Sequence, residues 1–393
     1  MFVASKGKTL AATITGSLPR PHWFTGNLGG RPFLSVFDGE ASYREQYADA
    51  VATLIADQTR AGLDIVSDGE MRFDMDVGGR SWFGYVFDRL SGLAPQDPGA
   101  HRDAPGRAGF QGRGKVAGDI VNEFVDTLIP PHVVGPIGPG TLQYDAIWKA
   151  AQRLTEKPVK VGSCCGQMIE RQVVNRFYKD RRESVFAFSA ALNQEYHRLA
   201  DAGCPVIQLE EPSVRDGTSP DAALPIDAYV EALNREVRGL RAKTEVWCHT
   251  CWGNPFAQRL TQTPSYKGGL PYLDRLDVDV ITFETAENGG AEIADIAAAV
   301  SKDKKICIGV VSHRSLQVEL ADDVAALIRQ ALRHIAPERL LLSSDCGFGR
   351  QGMSRAHAFY KMIAIVRGAN IVRRELGLPE TAIPAADPRF LLH

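Results

Sequence analysis

Eight short runs of apolar and β-branched residues recur along this chain, and no other feature of the sequence constrains the fold as strongly. They lie at residues 12–15, 64–67, 159–161, 206–209, 245–248, 280–283, 306–310 and 340–342. Amphipathic helical patterns lie between most of them, at residues 42–61, 183–202, 226–243, 321–336 and 355–375. Strands that alternate with helices form parallel sheets, and eight repeats favour closure into a barrel. The sequence therefore predicts an α/β fold of the (β/α)8, or TIM-barrel, class.

The gap between the second and third predicted strands interrupts this pattern. It is rich in glycine, proline and aspartate, as in residues 93–99. Such composition is typical of loops and not of a further strand–helix repeat. The sequence predicts one catalytic barrel over residues 1–393, in which residues 75–157 form an insertion over the barrel mouth. A strand pair is expected inside the insertion, near residues 114–120 and 132–137.

Composition and charge argue against several classes of function. The 393 residues are 44% hydrophobic and 23% charged, with a formal net charge of −2, which is typical of globular proteins. Nucleic acid is not an expected partner, because its phosphates require a concentrated basic surface. No run of about eighteen apolar residues predicts a membrane helix, and residues 1–12 lack the apolar stretch of a signal peptide. Seven cysteines, an odd number, favour a reducing, cytoplasmic compartment over a disulfide framework.

Candidate metal ligands follow three of the predicted strands. His249 and Cys251 are two residues apart at a strand end, so their side chains point the same way. Such a pair alone is weak evidence for a metal site, since a histidine and a cysteine can also be partly buried without a special role. Glu284 and Cys346 end later strands, and the carboxyl ends of barrel strands meet at one site. One imidazole, two thiolates and one carboxylate suit tetrahedral Zn2+, whereas sulfur ligands disfavour magnesium and calcium.

Three segments around these residues carry a family resemblance. Residues 249–251 (HTC), 281–285 (ITFET) and 344–347 (SDCG) resemble, in the same order, the zinc-binding segments of the catalytic barrel of cobalamin-independent methionine synthases. Further matches lie at residues 15–20, 68–70, 210–212 and 309–313. The chain is also similar to the epoxyalkane:coenzyme M transferases, which share the zinc–thiol strategy. The resemblance implies Zn2+ held by His249, Cys251, Glu284 and Cys346, and methyl transfer to the thiol of homocysteine, which gives methionine.

The same resemblance implies roles for four more residues. The backbone of Ser17 would bind the carboxylate of homocysteine, and Glu70 and Glu210 would bind its ammonium group. Glu210 stands where the family has aspartate, and both acids could instead form structural salt bridges. His313 is the candidate acid for the leaving group, although its alignment with the family's catalytic histidine requires a shift of one residue. The implied methyl donor is methyl-folate or a methylated corrinoid protein.

Departures from the family keep two alternatives open. Full-length family members have two barrels, and residues 163–166 (SCCG) replace a usual Gly-Pro. The adjacent cysteines could line the pocket or pack in the core, and no tryptophan matches the family's pterin support securely. One alternative is epoxide opening by coenzyme M, whose sulfonate could bind Arg20, Arg72 or Arg80. The other is a non-catalytic zinc or thiol-sensing protein. Candidate walls of the donor pocket are Trp23, Trp82 and Trp252.

Overall fold

The computed structural model describes residues 2–27, 41–72, 83–94, 130–212, 214, 218, 222–253, 264–349 and 352–386. Within them the strands are β1 (Val66–Ser67), β2 (Ser91–Ala94), β3 (His132–Gly138), β4 (Val159–Cys164), β5 (Val174–Asn175), β6 (Val206–Glu210), β7 (Glu245–Thr250), β8 (Val280–Phe283), β9 (Lys305–Val311) and β10 (Leu340–Ser344). Seven of these form a parallel sheet in the order β1-β4-β6-β7-β8-β9-β10. They confirm seven of the eight predicted strands, and most extend a residue or more beyond the prediction.

The first predicted strand closes the sheet instead of adding a full strand to it. Ala12 forms a parallel bridge with Leu342 of β10, and the Thr13 amide donates to the Leu342 carbonyl at 2.9 Å. On its other side, the Ala12 carbonyl accepts from the Asp64 amide at 2.8 Å, just before β1. The two edges of the sheet are therefore joined through this short segment. The (β/α)8 barrel prediction is confirmed.

Helices surround the barrel, and the five predicted helices are among them. They are α1 (His22–Asn27), α2 (Ala41–Ala61), α3 (Gly84–Phe87), α4 (Tyr144–Gln152), α5 (Gly166–Glu170), α6 (Arg181–Asp201), α7 (Ile226–Glu236), α8 (Leu270–Leu273), α9 (Ile293–Ala299), α10 (Ala321–Leu332) and α11 (Arg355–Glu375). The predicted helix 226–243 is shorter than expected, because Gly239 adopts a left-handed φ of +79° and a separate 3-10 turn, Leu240–Ala242, follows. None of the described helices is long and apolar enough to cross a membrane.

Alternate residues of the barrel strands face two different cores. The larger core lies between sheet and helices and includes Cys248 and Leu209. A smaller cluster contains residues from the strands and the first residues of the chain, and no helix residue, so it fills the barrel interior. Its buried members are Ala4, Ala11, Ile65, Val206, Trp247, Val280, Cys307 and Leu341.

The first residues of the chain cover the amino-terminal end of the barrel. The amides of Val3 and Ser5 donate to Glu245 Oε2 at 2.9 and 3.0 Å, and Lys305 Nζ donates to the Ser5 carbonyl at 2.6 Å. Glu245 and Lys305 begin β7 and β9, so these bonds lie where the strands start. The opposite end, where the strands finish, is left for a functional site.

An insertion separates β1 from β4, as the sequence predicts. The two strands are neighbours in the barrel, yet α3, β2, β3 and α4 lie between them in the chain. Strand β3 confirms the second member of the expected strand pair. Residues 114–120, the expected first member, lie outside the described residues, and β3 pairs antiparallel with β2, which the pattern did not predict. Coverage of the barrel mouth by residues 75–157 stays a prediction.

Candidate metal and substrate site

Four side chains from three strand ends meet at the carboxyl-terminal mouth of the barrel. His249 lies at the end of β7 and Cys251 follows that strand, Glu284 follows β8, and Cys346 lies two residues beyond β10. Their ligand atoms all lie within 4.8 Å of one another, and all four residues are buried. Register explains the meeting of the first three, since His249 pairs with Thr282 and Glu284 is two residues further along on the same face.

The geometry of this cluster fits a metal ion. The sulfurs of Cys251 and Cys346 are 3.7 Å apart, which is far longer than a disulfide bond of about 2.05 Å. Neither ring nitrogen of His249 has a hydrogen-bond partner among the described residues, although the residue is fully buried. Buried polar atoms are nearly always paired, so an imidazole left in this state indicates a missing ligand. A mixed nitrogen, oxygen and sulfur shell is one that zinc accepts.

The electrostatics of the cluster also favour a cation. Burial raises the pKa of Glu284 to about 8, helped by Cys346 and Asp345. Burial opposes the charged form of His249, but Glu210, then Cys346 and Glu284, raise its pKa to about 9. The hydrogen bond with Cys346, followed by burial, raises the pKa of the Cys251 thiol well above its usual value. Without a metal these groups retain protons, and a divalent ion would displace them.

Backbone amides hold two of the ligands in place. The Trp252 amide donates to Glu284 Oε1 at 2.7 Å, and the Gly253 amide donates to Cys251 Sγ at 3.2 Å. Both donors belong to the turn that follows β7. Such contacts fix the orientation of metal-binding side chains and tune their basicity.

Tyr266 joins the ends of the two strands that carry three of the ligands. Its hydroxyl donates to the Thr250 carbonyl at 2.9 Å and accepts from the Glu284 amide at 3.0 Å. The ring is fully buried and packs on Trp252, with a centroid separation of 4.1 Å. Sequence reasoning missed this residue, because nothing in its local pattern distinguishes it from an ordinary core tyrosine.

Asp345 performs a similar role beside Cys346. Its carboxylate accepts from the amides of Thr285, Ala286 and Glu287, at 2.7, 2.8 and 2.9 Å. These three residues follow Glu284 directly. Asp345 therefore ties the loop after β8 to the end of β10. It lies in the SDCG segment noted in the sequence, but the segment gave no indication of this bracing role.

Two further buried carboxylates lie at the carboxyl-terminal ends of barrel strands, and one of them is next to the ligand cluster. Glu210 ends β6, and its Oε2 lies 3.7 Å from His249 Nε2. Glu70 has a left-handed φ of +55°, a strained conformation for a non-glycine residue that is often found at functional sites. Its Oε1 passes over Gly162 so closely that a Cβ there would lie 2.3 Å away. Gly162 thus leaves the space that the Glu70 carboxylate occupies.

Ser17 and His313 reach the same end of the barrel by different routes. The loop of Ser17 crosses the residue after Cys346, since a Cβ on Gly347 would lie 2.5 Å from the Ser17 nitrogen. The Ser17 carbonyl accepts from the Gly349 amide at 2.9 Å. His313 lies two residues beyond β9 and is fully buried. The role of His313 as an acid and that of Ser17 in substrate binding stay predictions.

The remaining candidate residues from the sequence lie in different parts of the structure. Cys164 and Cys165 are both buried in the core between sheet and helices, and burial raises the pKa of the Cys165 thiol well above its usual value. Arg72 is fully buried and forms an ion pair with Asp68 at 2.7 Å. Trp252 lies at the metal cluster, Trp23 is 40% exposed, and Arg20 is buried. Trp82 and Arg80 lie outside the described residues.

Comparison with known families bears out the resemblance. The sequence model of the family described as cobalamin-independent synthase, catalytic domain, matches residues 116–369, well over half of the chain. The chain belongs to the cobalamin-independent methionine synthase family. Among family members, methionine synthase of Saccharolobus islandicus is 27% identical over 373 residues, which cover 95% of this chain and 97% of that protein. Methionine synthase of Sulfolobus acidocaldarius is 27% identical over 368 residues, 93% of each chain.

A solved structure agrees with the fold. The B12-independent methionine synthase from Shewanella sp. W3-18-1, described in complex with selenomethionine, has a TM-score of 0.72 at 24% identity. The alignment covers 94% of this chain and 99% of that one. The alignments with the Saccharolobus and Sulfolobus proteins likewise cover 97% and 93% of those proteins.

Proposed function

We propose that this protein is a zinc-dependent thiol alkyltransferase that methylates homocysteine and so forms methionine. The observation that carries the proposal is the meeting of one imidazole, two thiols and one carboxylate within 4.8 Å, in a member of this family. His249, Cys251, Glu284 and Cys346 would hold the ion. When bound, zinc would supply the Lewis acidity that keeps a substrate thiol deprotonated at neutral pH, where a free thiol of pKa about 8.5 is mostly protonated.

The neighbouring residues support an amino-acid thiol as substrate. Glu210 is a buried carboxylate beside the ligand cluster, and Glu70 is a buried carboxylate just beyond β1. Both would pair with the ammonium group of homocysteine. The backbone at Ser17, which crosses the loop after Cys346, would bind the substrate carboxylate. The Shewanella protein is described in complex with selenomethionine, an amino acid with the carbon skeleton of methionine. These observations together favour homocysteine over a thiol without an amine.

The leaving group also needs a proton, and His313 would provide it. A tertiary amine, as in methyl-folate, leaves readily only when it is protonated as its bond to carbon breaks. Histidine is suited to that exchange at physiological pH, and His313 is buried at the mouth of the barrel, just beyond β9. The proposed methyl donors are methyl-folate or a methylated corrinoid protein. A cytoplasmic location belongs to the proposal and is supported by seven free cysteines.

Epoxide opening by coenzyme M is less well supported. A sulfonate requires basic side chains, and Arg72, one of the candidates, already pairs with Asp68 where both side chains are fully buried. Its second guanidinium nitrogen donates to the Gly162 carbonyl. To bind an anion, Arg72 would have to break both contacts. The buried Asp68 carboxylate would then lose its ion-pair partner, which is costly.

X-ray absorption at the zinc edge, with and without L-homocysteine, tests the proposal. We expect a shell of nitrogen, oxygen and sulfur that gains one sulfur when homocysteine is added. A zinc coordination shell that does not change when homocysteine is added would overturn the assignment as a methionine-forming enzyme. A Glu284→Ala variant that keeps zinc and thiol binding, with no turnover lost because the unaltered protein turns over none of the donors, would favour a non-catalytic role for the site.

A further inference from the structure

A line of polar side chains crosses the interior of the barrel below the metal site. Lys160 of β4, Gln208 of β6 and Glu210 of β6 form it, and each is at most 4% exposed. Lys160 Nζ donates to Gln208 Oε1 at 2.9 Å, and Gln208 Nε2 donates to Glu210 Oε1 at 3.3 Å. The line therefore ends at the carboxylate that lies 3.7 Å from His249.

The direction of these hydrogen bonds follows from the chemistry of the groups. A lysine ammonium can only donate, so the amide atom that faces Lys160 must be the oxygen of Gln208. The amide nitrogen then faces the other way, toward Glu210, and it can only donate. A carboxylate accepts, so Oε1 of Glu210 is held and its Oε2 points toward His249.

Lys160 is an unusual residue for a barrel interior. Its ammonium group lies 4.9 Å from the centre of the Trp247 ring, which is a favourable place for a cation. Burial lowers the pKa of Lys160 to about 8, while Cys307, Glu70 and Glu210 oppose that shift. Burial of a charged group costs desolvation free energy, and an apolar residue would fill the same layer without that cost. A role in orienting the Glu210 carboxylate would explain why a lysine occupies this buried position.

We propose that Lys160 and Gln208 are positioning residues that aim the Glu210 carboxylate at the ammonium group of the substrate. The proposal rests on the proposed function, because it takes an amino-acid thiol as the substrate. Neither residue would touch the substrate. Their effect reaches it through the orientation of one carboxylate, so it should change affinity for the amine and leave zinc binding intact.

Two substitutions separate positioning from simple charge. Lys160→Met removes a positive charge near the ammonium site, and Gln208→Glu adds a negative one. Charge alone would therefore make both variants bind an ammonium group more tightly. Loss of orientation predicts the opposite, because Lys160→Met frees the amide to rotate and Gln208→Glu presents an acceptor to Glu210. Gln208→Glu also keeps a partner for Lys160, so it tests the proposal if Lys160→Met does not fold.

The experiment is calorimetric titration of the zinc-loaded protein with homocysteine and with 4-sulfanylbutanoate, which has the same thiol and carboxylate but no amine. Each variant should bind homocysteine about tenfold or more weakly, the scale of one hydrogen bond to a charged group. The affinity for 4-sulfanylbutanoate and the zinc content should stay within about twofold of those of the unaltered protein, because neither depends on the ammonium contact with Glu210. Val206→Ala is the control, since Val206 lies beside Lys160 in the same interior layer but outside the polar line.

The outcomes distinguish the positioning proposal from the function on which it rests. Tighter or unchanged homocysteine binding in the variants overturns positioning, and so does an equal loss for both ligands, which would indicate a general collapse of the site. If Glu210→Gln loses homocysteine binding while Lys160→Met retains it, only the positioning proposal fails. If the unaltered protein binds no homocysteine, the proposed function fails and the role in ammonium binding fails with it.

Discussion

Replacement of Tyr266 by phenylalanine should weaken the metal site without touching any metal ligand. The hydroxyl bridges the Thr250 carbonyl and the Glu284 amide, at 2.9 and 3.0 Å, in a fully buried position. Its removal leaves one acceptor and one donor buried and unsatisfied. Each such group costs about 1–3 kcal/mol, so the free energy of unfolding should fall by about 2–6 kcal/mol. The ring remains, so its packing against Trp252 is preserved.

The effect on metal affinity follows from where the bridge lies. Thr250 lies between His249 and Cys251, and the Glu284 amide belongs to a third ligand, so Tyr266 fixes the spacing of the β7 and β8 ends. Loss of a group that supports metal ligands typically lowers affinity by about 10–100-fold. We therefore expect a tenfold or larger rise in the zinc dissociation constant, which corresponds to about 1.4 kcal/mol or more.

The assay needs two measurements, because metal loss lowers apparent stability by itself. Urea unfolding of metal-free protein gives the intrinsic loss, and competition with a chromophoric chelator gives zinc affinity. Tyr144→Phe is the matched control, since that fully buried hydroxyl shares a hydrogen bond of 2.9 Å with Ser163, away from the ligands. The control should lose stability but retain zinc affinity. Zinc affinity in Tyr266→Phe equal to that of the control would refute the bracing role.

Four further predictions concern the ligands, their surroundings and the core. Cys251→Ser and Cys346→Ser should each lose zinc, measured by elemental analysis, and methyl transfer; full activity in either would contradict the ligand assignment. Gly162→Ala should raise KM for homocysteine with little change in unfolding free energy, because its Cβ would lie 2.3 Å from the mobile end of Glu70. Asp345→Asn should lower zinc affinity about 10–100-fold, because an amide cannot accept from three backbone amides as the carboxylate does; equal affinity by chelator competition would rule out that support. Burial, opposed by Arg181, raises the pKa of Glu170 to about 7 from its ordinary 4.5. The folded protein then holds this proton more tightly than the unfolded chain, so stability falls by about 3 kcal/mol as pH rises from 4.5 to 7. Glu170→Gln should abolish that part of the slope in urea unfolding, and a parallel pH dependence of the two proteins would count against it.

The barrel was predictable because its strands are buried on both faces. Such strands are continuous apolar runs, and seven of the eight predicted runs are strands of the sheet. The run at residues 12–15 has the same composition, but only its first residues form backbone–backbone bonds with β10 and with the residues before β1. Thr15 bonds instead to the side chains of Ser343 and Ser344. Gly16, with a left-handed φ of +69°, turns the chain away and brings it to within contact of Gly347. Local composition does not report that turn.

The ligand cluster was predictable because its members follow strand ends, and parallel strands end at the same edge. His249, Glu284 and Cys346 could be placed together without knowledge of any loop. The roles of the two bracing residues, Tyr266 and Asp345, could not be predicted in this way. Tyr266 lies 16 residues beyond Thr250 in the chain, and the role of Asp345 depends on the backbone direction of residues 285–287. Such contacts are set by tertiary structure and leave no local pattern.

Lys160 and Gln208 did leave a pattern that sequence reasoning passed over. Each is a polar residue within a run of apolar ones, at a position that alternation assigns to the barrel interior. A lysine in a strand is usually taken as a solvent-facing residue. In a sheet covered on both faces no strand residue faces solvent, so a polar residue there needs a partner and indicates a buried network.

Charge balance around the site links the metal cluster to the choice of substrate. A zinc dication held by two thiolates and one carboxylate would carry a net charge of −1, and the buried ion pair of Arg72 with Asp68 adds no net charge. Glu70 and Glu210 add two negative charges, against which the interior offers Lys160. The described site therefore holds an excess of negative charge in a buried place, where an unbalanced charge is costly. A substrate that brings an ammonium group next to the two carboxylates relieves that cost, whereas a sulfonate would increase it. Lys160, below Glu210, interacts electrostatically with both carboxylates and so offsets part of this excess before the substrate binds.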